Sequence, residues 1–145
     1  MKPEHREYFL SLGMTNVLLD RVQTIYGFYE NVCPENITNV FISEYINEDG
    51  SREYISLWLF SETFVMEAKQ FVTQDKFDMA SYRNVMNYWE IFKHDYDFGN
   101  GTDKSRLTLK ASTTAHTSFE LKASKENCNH LKNVLMNIII PNMKT

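Results

Sequence analysis

A chain of 145 residues with 43% hydrophobic and 23% charged side chains is sized for one domain, able to bury roughly 70% of its unfolded surface. Five Gly and three Pro leave no room for a long linker, and no segment is repetitive or of low complexity. A net charge of −4 excludes the high-pI basic stripe of a nucleic-acid binder, and no polybasic patch marks a membrane surface.

The charge is uneven: residues 1–85 hold seven basic and thirteen acidic groups, residues 86–145 eight basic and six acidic. The opening Met1-Lys2-Pro3-Glu4-His5-Arg6 is not followed by an apolar signal region, and the longest aliphatic run, Ile138-Ile139-Ile140, is too short to span a bilayer. Cys33 and Cys128 are not spaced for metal and read as thiols in a reducing compartment; a secreted chain would allow one disulfide. The triplets Asn36-Ile37-Thr38 and Asn100-Gly101-Thr102 read as loop chemistry. The expectation is a cytoplasmic protein.

From Glu4 to Val32 the apolar residues recur with helical spacing, most clearly Leu18, Val22, Ile25, Tyr26 and Tyr29. Gly13 predicts that a first helix stops near residue 12, Thr15 that a second begins there as its N-cap, and Pro34 that it ends before Cys33. A single kinked helix is the alternative. The aromatic residues here, Tyr8, Phe9, Tyr26, Phe28 and Tyr29, read as packing in preference to a ligand slot.

Residues 38–46 and 52–60, joined by Asn47-Glu48-Asp49-Gly50, predict a hairpin. Its second strand is apolar on both sides, with Tyr54, Trp58 and Phe60 on one face and Ile55, Leu57 and Leu59 on the other. One face would line a barrel or sandwich interior; the helical segment, or a second copy in a dimer, would cover the other. Strands follow at Phe64 to Val72, near Phe77 to Tyr82, and at Val85 to Tyr96. Alternation is strictest in 104–111 and 118–123, where parity predicts Leu109 opposite Phe119 and Leu107 opposite Leu121, with Ser112 to His116 as the loop. A closing helix is predicted with Ser124 as N-cap, Glu126 in its first turn, and Leu131, Val134, Leu135, Ile138 and Ile139 on one face before Pro141. Cys128 should share its buried side as an inert thiol, although a helix N-terminus can activate one.

The expected fold is α+β: a helical cover over residues 1–36, an antiparallel β barrel or sandwich over 37–123, and a capping helix over 124–141. This order of elements, about seven antiparallel strands closed by an amphipathic helix, resembles the pleckstrin-homology superfold. Where lipid-binding members of that superfold carry Lys and Arg around the first hairpin, this chain departs with Asn47-Glu48-Asp49-Gly50-Ser51-Arg52-Glu53, so phosphoinositide binding is not expected. The closing helix lacks the Trp typical of eukaryotic members, which places the resemblance with divergent bacterial-type or interaction-only relatives. The competing architecture resembles the nuclear-transport-factor and cystatin-like cone; it accounts for the opening helices but not for a helix after the last strand.

His5, His94, His116 and His130 fall in four elements without ligand spacing, so no metal site is expected. His94 and Asp95 would point to opposite faces of a strand. Glu67 and Glu90, flanked by apolar residues, are candidate pocket acids or ordinary outward-facing carboxylates. Gly99-Asn100-Gly101 reads as a turn, with no helix behind it to bind phosphate. Lys104, Arg106 and Lys110 share one strand face with Lys122 beside them, a candidate surface for an anionic partner, partly neutralised by Glu120. The sequence thus favours a non-enzymatic interaction or scaffolding module of unknown protein partner, with no catalytic residues and no cofactor. The alternatives are an apolar small-molecule binder and, behind it, an enzyme using pocket carboxylates or His94.

Overall fold

The computed structural model describes residues 1–47, 49–73, 76, 79–94, 106–124 and 127–143. Two helices open the chain, α1 (Pro3–Ser11) and α2 (Asn16–Val32). They break at Gly13, which takes a φ of +78°, and Thr15 caps α2 by accepting from the Leu18 N–H at 3.3 Å. Cys33 leaves the helical conformation with ψ 131°, as the following Pro34 requires.

Among the described residues seven strands make two antiparallel sheets. The first has the order β1 (Asn39–Ile46), β2 (Arg52–Phe60), β3 (Phe64–Lys69), β4 (Met79–Arg83); the second β5 (Met86–His94), β6 (Arg106–Thr113), β7 (Ser118–Ala123). The β1–β2 turn depends on Gly50 at φ +84°, and the Ser51 N–H donates to Asp49 Oδ1 at 2.8 Å. The third strand is shorter than predicted, ending at Lys69, and the fourth begins at Met79, with Phe77 outside the described residues.

The two faces of the first sheet serve two cores. Val40, Ile42, Leu57, Leu59, Met66 and Ala68 pack under α1 and α2 against Phe9, Val22, Ile25 and Tyr29. Phe41, Trp58, Phe60 and Val65 pack on the other side against Leu109, Phe119 and Leu121 of the second sheet. The helical segment therefore covers the outer face of the hairpin, as the doubly apolar β2 requires. Tyr54 is an exception to strict alternation. Ser43 pairs with Ser56 and Glu44 with Tyr54, so Ile55 is a bulge that turns Tyr54 toward the helices, where its hydroxyl donates to the Leu12 carbonyl at 2.6 Å.

The β6–β7 register corrects the predicted one by two residues: Leu109 faces Leu121, Leu107 faces Ala123 and Ala111 faces Phe119. Parity holds, so the same side chains point inward; the loop is tighter than five residues. The Thr113 N–H donates to the Thr117 carbonyl at 2.9 Å, and His116 closes the turn at φ +65°. That position is left-handed, where a residue with Cβ is strained. His116→Gly is expected to raise stability by about 0.5–1 kcal/mol, read as a higher urea midpoint at unchanged m-value. An unchanged or lower midpoint would show that the turn carries no strain.

The closing helix begins later than predicted. It is α3 (Cys128–Val134), continuing as a widened π-helical stretch, Leu135–Ile139, in which the Ile140 N–H reaches back to the Leu135 carbonyl at 2.9 Å. Leu131, Val134, Leu135, Ile138 and Ile139 all face the inter-sheet core. Ser124 is not its N-cap. Its hydroxyl donates instead to the buried carboxylate of Glu44, and Asn127 stands at the cap position without a side-chain capping bond. Past Pro141 the chain returns to β5, where the Met86 N–H donates to the Asn142 carbonyl at 2.9 Å. No helix among the described residues is long and apolar enough to cross a membrane.

Candidate functional site

Three features concentrate chemistry: a basic face on the second sheet, a cleft between the sheets, and a buried polar seam along β1. On the basic face, Lys110 stands opposite Glu120, and Lys122 opposite Thr108. The Glu120 carboxylate is shared, with Lys110 Nζ at 3.7 Å and Lys122 Nζ at 4.0 Å. The Arg106 guanidinium lies over the Tyr45 ring at 4.4 Å, and Lys110 Nζ lies 5.2 Å from the centre of the Phe92 ring. Arg106, Lys110 and Lys122 thus line one open cleft of about 230 Å³ with, among the described residues, a single carboxylate, that of Glu120. Lys104, the fourth residue of the predicted group, lies outside the described residues.

A second cleft, of about 370 Å³, opens on the other side of β7, with Ser118, Glu120 and Lys122 on its near wall. Ser43, Ser56, Glu67 and Lys69 form the far wall. Ser43, Ser56 and Lys69 follow one another in register across the first sheet, on the face that would otherwise belong to the inter-sheet core. Glu67 is half-buried there, and desolvation raises its carboxyl above the usual range against the opposing pull of Lys69, 3.9 Å away. Glu67 is therefore a cleft residue, whereas Glu90 is exposed on the other sheet, and the two do not meet.

The third feature joins residues far apart in the sequence. The outer edge of β1 is paired not with a strand but with side chains. The Tyr8 hydroxyl accepts from the Ile42 N–H at 3.0 Å and donates to Asn127 Oδ1 at 2.8 Å; Asn127 Nδ2 donates to the Ile42 carbonyl at 2.8 Å. Two residues along, His130 Nε2 donates to the Val40 carbonyl at 2.6 Å, with its ring stacked 3.7 Å from that of Tyr8. At the far end Glu44, fully buried, accepts from Ser124 and pairs with Arg52 Nη1 at 3.3 Å. Arg52 also donates to the Leu12 carbonyl at 2.9 Å, tying the end of α1 to the same edge. The polar Ser43-Glu44 pair inside the apolar run Val40 to Ile46 was the available sequence signal for this seam.

Of the four histidines, His5 and His130 converge on β1 and its approach. His5 accepts from the Tyr26 hydroxyl at Nδ1 (2.8 Å) and donates from Nε2 to the Thr38 carbonyl (3.3 Å), so its neutral form is fully bonded. Burial lowers the pKa of both rings below 6.5, partly opposed by their carbonyl partners. A ring that is neutral when folded must gain a proton when unfolded. Stability is therefore expected to be full above pH 6.5 and to fall as pH drops below it toward the folded-state values. Urea midpoints measured between pH 7.5 and 5 check this, and a His130→Gln variant should show a shallower fall. His116 sits exposed at its turn, and β5 ends at His94.

No group of three or more His, Cys, Asp or Glu among the described residues is arranged to hold a metal ion. Cys33 and Cys128 are both free thiols, and Cys128 Sγ donates to the Ser124 carbonyl at 3.0 Å. Comparison of the chain with protein-family models, with curated proteins and with solved structures finds no match in any of the three.

Proposed function

We propose that this chain is a non-enzymatic protein-interaction module, built as a divergent pleckstrin-homology-like domain, that engages an anionic partner through the β6–β7 face. The fold reading is supported by the succession of a four-stranded sheet, a three-stranded sheet and a closing helix. The observation that carries the function is local charge inversion: on a chain of net charge −4, Arg106, Lys110 and Lys122 line an open cleft whose described residues include one carboxylate, Glu120, paired with Lys110 and Lys122. The side of the sheet toward the interior is occupied by Phe41, Trp58, Phe60 and Phe119, which favours recognition at the surface over enclosure. The test is charge reversal: Lys110→Glu with Lys122→Glu should abolish retention of the partner from the protein's own source while leaving thermal stability close to wild type. Retention unchanged by the reversal would remove this face from consideration.

The second reading, an apolar small-molecule binder, has one observation in its favour. The Trp58 indole N–H and the Tyr82 hydroxyl are buried in the inter-sheet core without hydrogen-bond partners, on either side of Phe119. Native mass spectrometry of freshly purified protein separates the two: a bound small mass favours the carrier, a bare ion the interaction module.

A further inference from the structure

We infer that the partner segment is an extended acidic peptide that adds to the free edge of β7, with its backbone bonded to Glu120 and its side chains flanked by Lys69, Lys110 and Lys122. This rests on the reading of the β6–β7 face as an interaction surface and specifies how that surface is used.

The ladder between β6 and β7 fixes which backbone groups of β7 point outward. Because the Thr113 N–H donates to the Thr117 carbonyl, alternate facing pairs from that point, Ala111–Phe119 and Leu109–Leu121, are the hydrogen-bonded ones. The pairs between them, Ser112–Ser118, Lys110–Glu120 and Thr108–Lys122, turn the β7 N–H and C=O groups away from β6. Lys122 shows this directly, since its N–H donates to Ser43 Oγ at 2.9 Å and so bridges β7 to β1. Beyond that bridge the two sheets part. The N–H and C=O of Glu120 have no partner among the described residues, and the 370 Å³ cleft opens beside them.

On β1 the outward groups of Val40 and Ile42 are closed off by His130, Tyr8 and Asn127, the kind of blunting by which proteins suppress strand pairing. On β7 none of the described side chains does this at Glu120. An open edge beside a cleft is a template for strand addition, in which main-chain bonds supply affinity and flanking side chains supply selectivity.

Charge selects the occupant. The two clefts meet at β7, which gives Glu120 and Lys122 to both. Taken together, and among the described residues, they hold Lys69, Arg106, Lys110 and Lys122 against Glu67 and Glu120, an excess of cations, and burial raises the Glu67 carboxyl above its usual range. Ser43 and Ser56 offer hydroxyl partners to hydrophilic side chains there, beside the apolar Ile55 and Phe119.

The probe is a fluorescein-labelled octapeptide of alternating Glu and Thr, read by fluorescence anisotropy at low salt. Wild type should bind it. Glu120→Ala keeps the backbone N–H and removes a like charge, so affinity should hold or rise. Glu120→Pro removes the outward N–H while leaving the ladder to β6 intact, and should weaken binding at least tenfold. Should the proline variant fold poorly, the same peptide with alternate amides N-methylated serves against wild type and should lose binding to a similar degree. The Glu120 amide should also gain hydrogen-exchange protection in the wild-type complex. Strand addition is overturned if wild type fails to bind, or if the proline variant and the methylated peptide bind as well as their parents. Loss of binding on Lys110→Glu with Lys122→Glu, alongside such unchanged binding, would leave the interaction surface standing and discard only the backbone mode.

Discussion

Arg52→Ala is expected to lower stability by about 3–5 kcal/mol, the cost of taking a paired guanidinium away from a buried carboxylate. Glu44 is wholly buried, and Arg52, 22% exposed, lies 3.3 Å from its Oε2. The lost guanidinium also removes one of the two donors on the Leu12 carbonyl at the end of α1, leaving the Tyr54 hydroxyl. For a chain of this length the change should appear as a fall in Tm of roughly 10 °C or more. Adding Glu44→Gln to that variant removes the charge while retaining an acceptor for the Ser124 hydroxyl, so the double variant should be more stable than Arg52→Ala alone. A loss under about 1 kcal/mol for Arg52→Ala, the range of a surface pair, would mean that water reaches Glu44.

Tyr8→Phe should cost about 2–4 kcal/mol, because one hydroxyl serves two buried partners and its removal orphans both. The Ile42 N–H loses its acceptor and Asn127 Oδ1 its donor. Asn127→Ala removes the other half of the clamp, leaving the Ile42 carbonyl bare. As the two side chains share one residue of backbone and bond to each other, the double variant should cost less than the sum of the singles by about 1–3 kcal/mol. Hydrogen exchange supplies a local readout: the Ile42 amide, protected by Tyr8, should exchange faster in Tyr8→Phe than its β1 neighbours bonded to β2. Strict additivity, or unchanged exchange at Ile42, would show that the clamp is incidental.

What could be read from the residues was whatever depends on periodicity and local stereochemistry. Gly13, Thr15 and Pro34 bound two helices because each acts through its own backbone or nearest neighbours. The doubly apolar Leu57-Trp58-Leu59-Phe60 demanded cover on both sides, and both covers are present. What escaped was decided by partners distant in sequence. Ser124 carries the local signature of an N-cap, yet a buried carboxylate eighty residues earlier competes for its hydroxyl and wins. The β6–β7 register slipped by two because alternation fixes only odd or even, while the tightness of the turn at Thr113–Thr117 fixes the number. At the candidate site, Arg106, Lys110 and Lys122 were legible from alternation alone, and Glu120 as their neutraliser. The Ser43, Ser56 and Lys69 wall was not, because it exists only once the Ile55 bulge has brought three strands into line.

The clamp on β1 also orders events during synthesis. Tyr8 leaves the ribosome before Ile42, 34 residues on, and Asn127 follows 85 residues after Ile42, so the strand's edge is half-dressed while those 85 residues are made. An edge in that condition can recruit another nascent chain as readily as its own helix. Shortening the chain ahead of Asn127 should therefore yield aggregates in place of a smaller soluble domain, even though every strand would still be encoded.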